Sequence, residues 1–379
     1  MSTCLQGVNR MKLSDREWKD FAAPYVFQNI QRGKRLKKAD HILGIVPYVS
    51  STANNNGVDA YIEATKGTRV FENCISLANS GSVGTAFYEP FAFVASDHVT
   101  SLKRENTSQY VYLFLTAVLE QQKSNFDFNR EINDLRIKKM RIMLPVDDND
   151  EPDYQFMEDY MKELMVAKRK QYQEYVEQRL AELGIDVKNT KVGVYNVSFG
   201  KREWKDISIT SIFDNFVPGK GKGLNHLNQS QDDLSYIGAT NRNNGVLCFV
   251  ENDEISCKMI QEGNCIGFIK NGDGSAGYAI YKRENFVSTS DVIYGYADWL
   301  NEYTGLFFVS AQDLIKSKYS HGYKRNQQHL RGDRVMLPVN DNDEPDYEFM
   351  EECGRKMMAK KYIQYLKYLE STCESKDVE

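Results

Sequence analysis

Apolar residues recur along this chain in two regimes. Short β-branched and aromatic runs at 42–46, 86–94, 246–250 and 279–286, bounded by Asn-Gly and Gly-Ser turn signals, predict strands. Residues 110–122 and 294–303 predict helices between them, so each stretch mixes helix and strand. The second regime begins where Glu151-Pro152-Asp153 leads into a Gly- and Pro-free segment reaching Leu183, with Gly184 as the stop. Carboxylates at its start favour the positive end of a helix dipole. Met157, Met161, Leu164, Tyr172, Val176 and Leu180 form its apolar stripe, and Met350, Met357, Tyr362 and Leu366 form that of a second helix from Pro345 to about Glu370. Neither stripe can be buried alone. The two helices are expected to pack as an antiparallel coiled coil, which keeps both connections short.

The chain also repeats itself. Arg16-Glu-Trp-Lys-Asp20 recurs as Arg202-Glu-Trp-Lys-Asp206, an offset of 186. Pro47-Tyr-Val-Ser-Ser-Thr52 with Asn55-Asn-Gly-Val58 matches Ser235-Tyr-Ile-Gly-Ala-Thr240 with Asn243-Asn-Gly-Val246, offset 188. Gly81-Ser-Val-Gly84 and Met143-Leu-Pro-Val146 with Asn149-Asp-Glu-Pro-Asp-Tyr154 return at offset 193. Collinear blocks at a slowly drifting offset mark a tandem duplication, and a period this long excludes a solenoid. The expected fold class is α+β: a small mixed module, a spacer helix, a second module and a second helix. The expected boundaries are a tail 1–15, module 16–146, helix 147–185, module 186–339, helix 340–370 and tail 371–379.

Composition narrows the function. With 379 residues, 41% hydrophobic and 27% charged, the chain is of globular type. Its mean hydropathy of −0.56 and lack of long apolar runs predict no membrane span. Seven cysteines without a CxxC pair argue against a disulfide framework or zinc knuckle and suggest the cytoplasm. The net charge of −5 conceals segregation: residues 16–141 carry 17 Lys+Arg against 13 Asp+Glu, residues 147–183 only 5 against 11. Local fields govern docking, so an acidic average does not exclude DNA.

Two modules alternating with two long helices resemble the DNA specificity subunits of type I restriction-modification systems. Gly44-Ile-Val-Pro-Tyr48, Gly81-Ser-Val-Gly84 and the stretch from Arg136-Ile137 to Leu144-Pro145 are similar to that family's recurrent motifs. Arg32-Gly-Lys-Arg-Leu-Lys37 and the Asn-Asp-Glu-Pro-Asp-Tyr junctions are similar to type IIB, BcgI-like, specificity subunits. Glu-Pro-Asp-Tyr stands where type I subunits carry Pro-Pro and Glu-Gln, which favours a fused nuclease-methyltransferase as partner. The resemblance implies that each module is a target-recognition domain reading half of a bipartite, asymmetric duplex site. It also implies that an adenine-N6 methyltransferase partner, alone or fused to a nuclease, holds S-adenosylmethionine and Mg2+, with no cofactor on this chain. A helix of about 31 residues is roughly 46 Å long and can span one duplex turn of roughly 34 Å.

Candidate contacts follow from side-chain chemistry. Lys34, Arg35, Lys37 and Lys38 form the densest basic run. Lys220 and Lys222 occupy the equivalent glycine-rich stretch, whose glycines are expected to let the backbone approach phosphates. Asn54, Asn55, Asn56, Asn241 and Asn243 suit an adenine edge, although Asn-Gly is also a turn signal. Arg242 stands opposite Asn54 and suggests a guanine contact in one module only. Ser80, Ser82, Lys270, Asn271 and Ser275 lie in Gly-Ser stretches read as hairpins apposed to DNA; no Lys-Ser/Thr pair makes either a nucleotide-binding loop. Arg130 and Arg325, before the last strand of each module, are expected to touch the DNA backbone. His98, in one module only, is expected to be buried and satisfied by a neighbour.

Catalytic patterns are missing. There is no Asn/Asp-Pro-Pro-Tyr/Phe motif, no HxxxH and no His/Cys set at metal spacing, so neither catalysis nor a metal site is expected. The carboxylates at 147–153 and 341–346 are expected to cap helices rather than cut DNA. The rival readings are a two-module protein-interaction scaffold with a helical oligomerisation stalk, and a hydrolase using those carboxylates.

Overall fold

The computed structural model describes residues 10–126, 130–185, 202–221, 223–272, 274–320 and 322–374. They form two compact units, Met1–Tyr172 and Gln173–Glu379. The first runs β1 (Trp18–Ala22), α1 (Ala23–Val26), β2 (Asn29–Arg32), β3 (Leu43–Val49), β4 (Val58–Ile62), β5 (Val70–Phe71), β6 (Cys74–Ala78), β7 (Ala86–Glu89), β8 (Phe93–Ala95), β9 (Val99–Lys103), α2 (Gln109–Gln121), α3 (Asp134–Lys139), β10 (Arg141–Pro145) and α4 (Tyr154–Glu182). The last turns of α4 belong to the second unit. That unit continues with β11 (Trp204–Ser208), α5 (Ile209–Ile212), β12 (Asn215–Pro218), β13 (Gln229–Ser230), β14 (Leu234–Ile237), β15 (Val246–Val250), β16 (Cys265–Ile269), β17 (Ala279–Lys282), β18 (Phe286–Ser288), β19 (Val292–Tyr296), α6 (Glu302–Gln312), α7 (Gln327–Arg331), β20 (Arg334–Pro338) and α8 (Tyr347–Glu374).

The duplication is visible strand for strand. One sheet orders β2-β9-β6-β7 in the first unit and β12-β19-β16-β17 in the second. β1 pairs with β10, and β11 with β20, as separate antiparallel ribbons. A second sheet orders β4-β3-β8-β5 or β13-β15-β14-β18: three strands correspond, and the fourth is a different segment in each copy, β5 beside β8 in the first and β13 beside β15 in the second. β3 runs parallel to β8, and β14 to β18, which brings the ends of both strands to one edge. β6 and β16 lie between two neighbours and are buried throughout, so they read as unbroken apolar runs rather than alternations.

Three runs depart from the sequence pattern, one of them 279–286, which splits into β17 and β18 around residues 283–285. Residues 294–303 are not a helix: the stretch ends β19, and α6 starts only after Asn301, whose side chain caps it. Run 86–94 breaks at Pro90 into β7 and β8, because proline cannot donate to a ladder.

The duplicated blocks meet at each junction. The Arg16 guanidinium pairs with Asp153 at 2.8 Å and lies over the Phe156 ring; Arg202 pairs with Asp346 at 2.6 Å and lies over Phe349. Lys19 reaches Asp150, and Lys205 reaches Asp343, each at 2.5 Å. Asp153 and Asp346 also accept from the amides of Phe156 and Phe349. Asp147 accepts from the amides of Asn149 and Glu151, and these bonds hold its carboxyl below the usual range. The acidic stretch is therefore a turn plus a cap, and α4 proper begins at Tyr154.

The seam residues divide. Met157 and Met350 are fully buried, but each lies in the core of its own module rather than between helices. Met161 packs on the first core, while Leu164 and Tyr172 are half-buried. Val176 and Leu180, on the last turns of α4, are fully buried in the second unit, where Leu366 is also buried and Tyr175 meets Tyr362 at 6.2 Å between ring centres. Arg179 binds Glu302 at the start of α6, where Glu351 of α8 also bonds Asn301. Moving away from α6, numbers fall along α4 to Tyr175 and rise along α8 to Tyr362, so these segments are antiparallel. Met357 contradicts the seam: it is 47% exposed and lines an apolar groove of about 500 Å³ beside Trp204 and Met336. No helix among the described residues is long and apolar enough to cross a membrane, and the described cysteines are free.

Candidate nucleic-acid interface

Three loops converge at one end of each module because β3 and β8 finish on the same edge. In the first module the amide of Ser82, in the β6–β7 hairpin, donates to the Ser51 carbonyl just past β3. The amide of Ser96, just past β8, donates to Val49, and that of Lys34 to Ala95. In the second, Asn241 and Ser275 bond each other at 3.0 Å, Thr289 donates to Ile237, and the Lys270 amide donates to Asp291. The segment before the last strand closes the end: Ile132 donates to the Asn79 carbonyl, and Arg325 to that of Lys270.

The asparagine clusters sit in left-handed turns. Asn55, Asn56 and Gly57 have φ of 50°, 50° and 77°; Asn243, Asn244 and Gly245 have 48°, 48° and 80°. Asparagine tolerates this left-handed region better than other side chains. The amides of Asn243 and Asn244 are further tied to the carbonyls of Val246 and Tyr281, whereas the side chains of Asn54, Asn55 and Asn56 are exposed. Asn241 and Arg242 are exposed too.

Lys34, Arg35, Lys37 and Lys38 are all exposed, on a segment anchored by Leu36 against Tyr48, Ile62 and Val94. Lys34 bonds the Gly67 carbonyl. Lys220 is exposed, while Lys222 lies outside the described residues. Gly219 and Gly221 are required for a different reason than phosphate approach: a Cβ there would sit 1.9 Å from the carbonyl oxygens of Thr289 and Ser288.

Four further expectations are corrected. Arg325 cannot touch DNA, since it is fully buried against Asp333 at 2.7 Å and over Phe268; burial holds its guanidinium below the usual range. Ser80 is buried with its hydroxyl on the Glu131 carboxylate, and Ser275 is buried on Asn241, so both shape loops rather than face solvent. His98 is exposed, not buried. Lys270 and Asn271 stand apart from these four: both are half-buried, bonded to the Ser290 carbonyl and the Asp291 carboxylate, and keep part of their surface in solvent.

Sequence reasoning missed Arg136 and Lys139, which line a groove of about 430 Å³ with Arg130, Phe126 and Asn133. The signal was available: residues 130–141 hold Arg130, Arg136, Lys138, Lys139 and Arg141. Among the described residues, no cluster of three or more His, Cys, Asp or Glu side chains could hold a metal.

Residues 16–174 match the family model described as the type I restriction modification DNA specificity domain. The chain resembles a restriction-modification specificity subunit. The type II restriction enzyme BgcI specificity subunit S.BcgI of Heyndrickxia coagulans is 36% identical over 159 residues, covering 41% of this chain and 46% of that protein. The chain thus spans about half the length of the curated relative it matches. Among solved structures, the type I restriction-modification S subunit of M. genitalium aligns over 97% of this chain and 96% of its own, at 17% identity and a TM-score of 0.43. The HsdS subunit of Thermoanaerobacter tengcongensis aligns over 93% and 91%, at 10% identity and a TM-score of 0.30. The family model covers the first module; the second repeats its strand order.

Proposed function

We propose that the chain is the DNA-recognition subunit of a restriction-modification enzyme, each module reading one half of a bipartite, asymmetric duplex site. The observation that carries this is the convergence of three loops, flanked by exposed basic side chains, at the same end of both modules. One such end carries Lys34, Arg130, Arg136 and Lys139, the other Lys220, Arg242 and Lys324. Exposed cations there suit phosphates or, for arginine, base edges, and the loops they flank suit groove edges. The partner is an adenine-N6 methyltransferase, alone or fused to a nuclease, which supplies S-adenosylmethionine and Mg2+ chemistry, and this chain contributes no catalytic group. It works in the cytoplasm, where its DNA is.

The test is duplex binding by the chain with its co-purified partner, followed by fluorescence anisotropy across salt. The expected result is a steep fall of affinity with salt, and a shallower slope, by about 0.9 per lost contact, when Lys34, Arg35, Lys37 and Lys38 are replaced by alanine. Salt-independent binding, or a partner without a methyltransferase, promotes the interaction scaffold instead.

A further inference from the structure

The two modules share one frame at the converged end but fill it with different chemistry. Asn133 caps α3 and Asn326 caps α7, each through its side-chain oxygen. Three residues on, Arg136 donates from its guanidinium to the Glu131 carbonyl at 2.6 Å, and His329 from Nδ1 to the Lys324 carbonyl, also at 2.6 Å. The residue before each carbonyl differs in the same way. In the first module it is Arg130, exposed and lining the groove with Arg136. In the second it is Tyr323, 43% exposed, stacked on His329 with ring centres 4.3 Å apart and planes at 20°. The offset of 193 pairs Arg130 with Tyr323, and Arg136 with His329.

A residue pair that varies while its scaffold is held constant, at the end where the loops converge, is placed to discriminate. We propose that Arg130 and Arg136 in the first module, and Tyr323 and His329 in the second, set the base pair each module accepts at one position of its half-site. This rests on the DNA-recognition reading above. Two guanidiniums on one groove match the O6 and N7 acceptors of guanine, so the first module prefers G·C at that position. The second offers a ring face and a single imidazole nitrogen. That surface suits an apolar contact such as a thymine methyl and gives no bidentate guanine contact.

The experiment selects duplexes from a randomised pool with the full chain in complex with its co-purified partner. Three proteins are compared: the unaltered chain, R130Y/R136H, and R130K/R136K, which keeps the charge but loses the fork. The expected result is that both variants lose the G·C preference at one position of one half-site only. Affinity for the selected site falls about 10- to 100-fold and that for random duplex changes little. Uniform weakening across all sequences with a shallower salt slope marks a phosphate contact and overturns the proposal, as does an unchanged motif in both variants. If the unaltered complex enriches no sequence at all, the DNA-recognition reading falls, and this inference with it.

Discussion

Arg325 and Ile132 occupy one place in the fold, as do Asp333 and Met140. The backbones make equivalent bonds: Ala23 donates to Met140 and Ile209 to Asp333. One module therefore holds a buried ion pair where the other is apolar. Lys318 and Tyr319 also reach the Asp333 carboxylate, at 2.8 and 2.6 Å, so its charge is well satisfied. Removing Arg325 leaves the buried Asp333 carboxylate to Tyr319 and the half-exposed Lys318 alone, so Arg325→Met is expected to cost about 3 kcal/mol, the low end for a broken buried pair. The double change R325I/D333M, which copies the first module, should recover most of that in denaturant titration. Burial of Arg325 was half legible: arginine is rarely fully buried, yet the 193-residue offset pairs it with apolar Ile132. Glu89 carries a second residue-scale consequence. It is fully buried, accepts from Ser76 at 2.9 Å, and burial pushes its carboxyl up to about 7. Its folded value lies above the unfolded one, so this stabilising term is complete at low pH and is lost as pH rises through about 7. Melting temperatures at pH 5.5 and 8 should differ less for Glu89→Gln than for the unaltered chain.

At the scale of elements, the junctions explain why the same two sequence blocks recur together. Arg-Glu-Trp-Lys-Asp supplies the cations at and just before the starts of β1 and β11; Asn-Asp-Glu-Pro-Asp-Tyr supplies the turn, the cap and their anions. The blocks were visible as repeats, but their partnership was not, because more than 130 residues separate Arg16 from Asp153. Asp153→Ala removes an N-cap and a half-exposed ion pair, and should cost about 1–2 kcal/mol; Asp346→Ala should cost the same. Urea denaturation measures both, and a large inequality would show that the junctions are not equivalent. The missed boundary near 294–303 has a local cause. Short aromatic runs fit strand or helix alike. Only the capping geometry of Asn301 with Thr304 decides that α6 starts after them.

At the scale of the molecule, the duplication made the order of modules and helices legible. It could not show which loops meet, since that depends on parallel pairing of strands far apart in sequence. The same duplication makes specificity exchangeable. Replacing residues 16–146 by 202–339 preserves the junction, because each cation and each anion has its counterpart. Not every contact transfers: the Tyr25 hydroxyl bond to Glu151 is lost, and one helix approach is tighter in the second copy. Gly354 lets α8 approach the second module so closely that a Cβ there would lie 2.6 Å from the Tyr303 carbonyl oxygen, and α4 has Met161 at that position. The exchange therefore requires Met161→Gly, and without it the chimera should be destabilised by the overpacking, typically about 1–3 kcal/mol. With it, the chain carries Tyr323 and His329 chemistry twice and Arg130 and Arg136 not at all. Selection from randomised duplex should then return the second half-site at both positions, where the unaltered chain returns two different halves. A chimera that still selects the unaltered asymmetric site would place discrimination outside the modules, and an unselective but folded chimera would show that each module reads its half only beside the other.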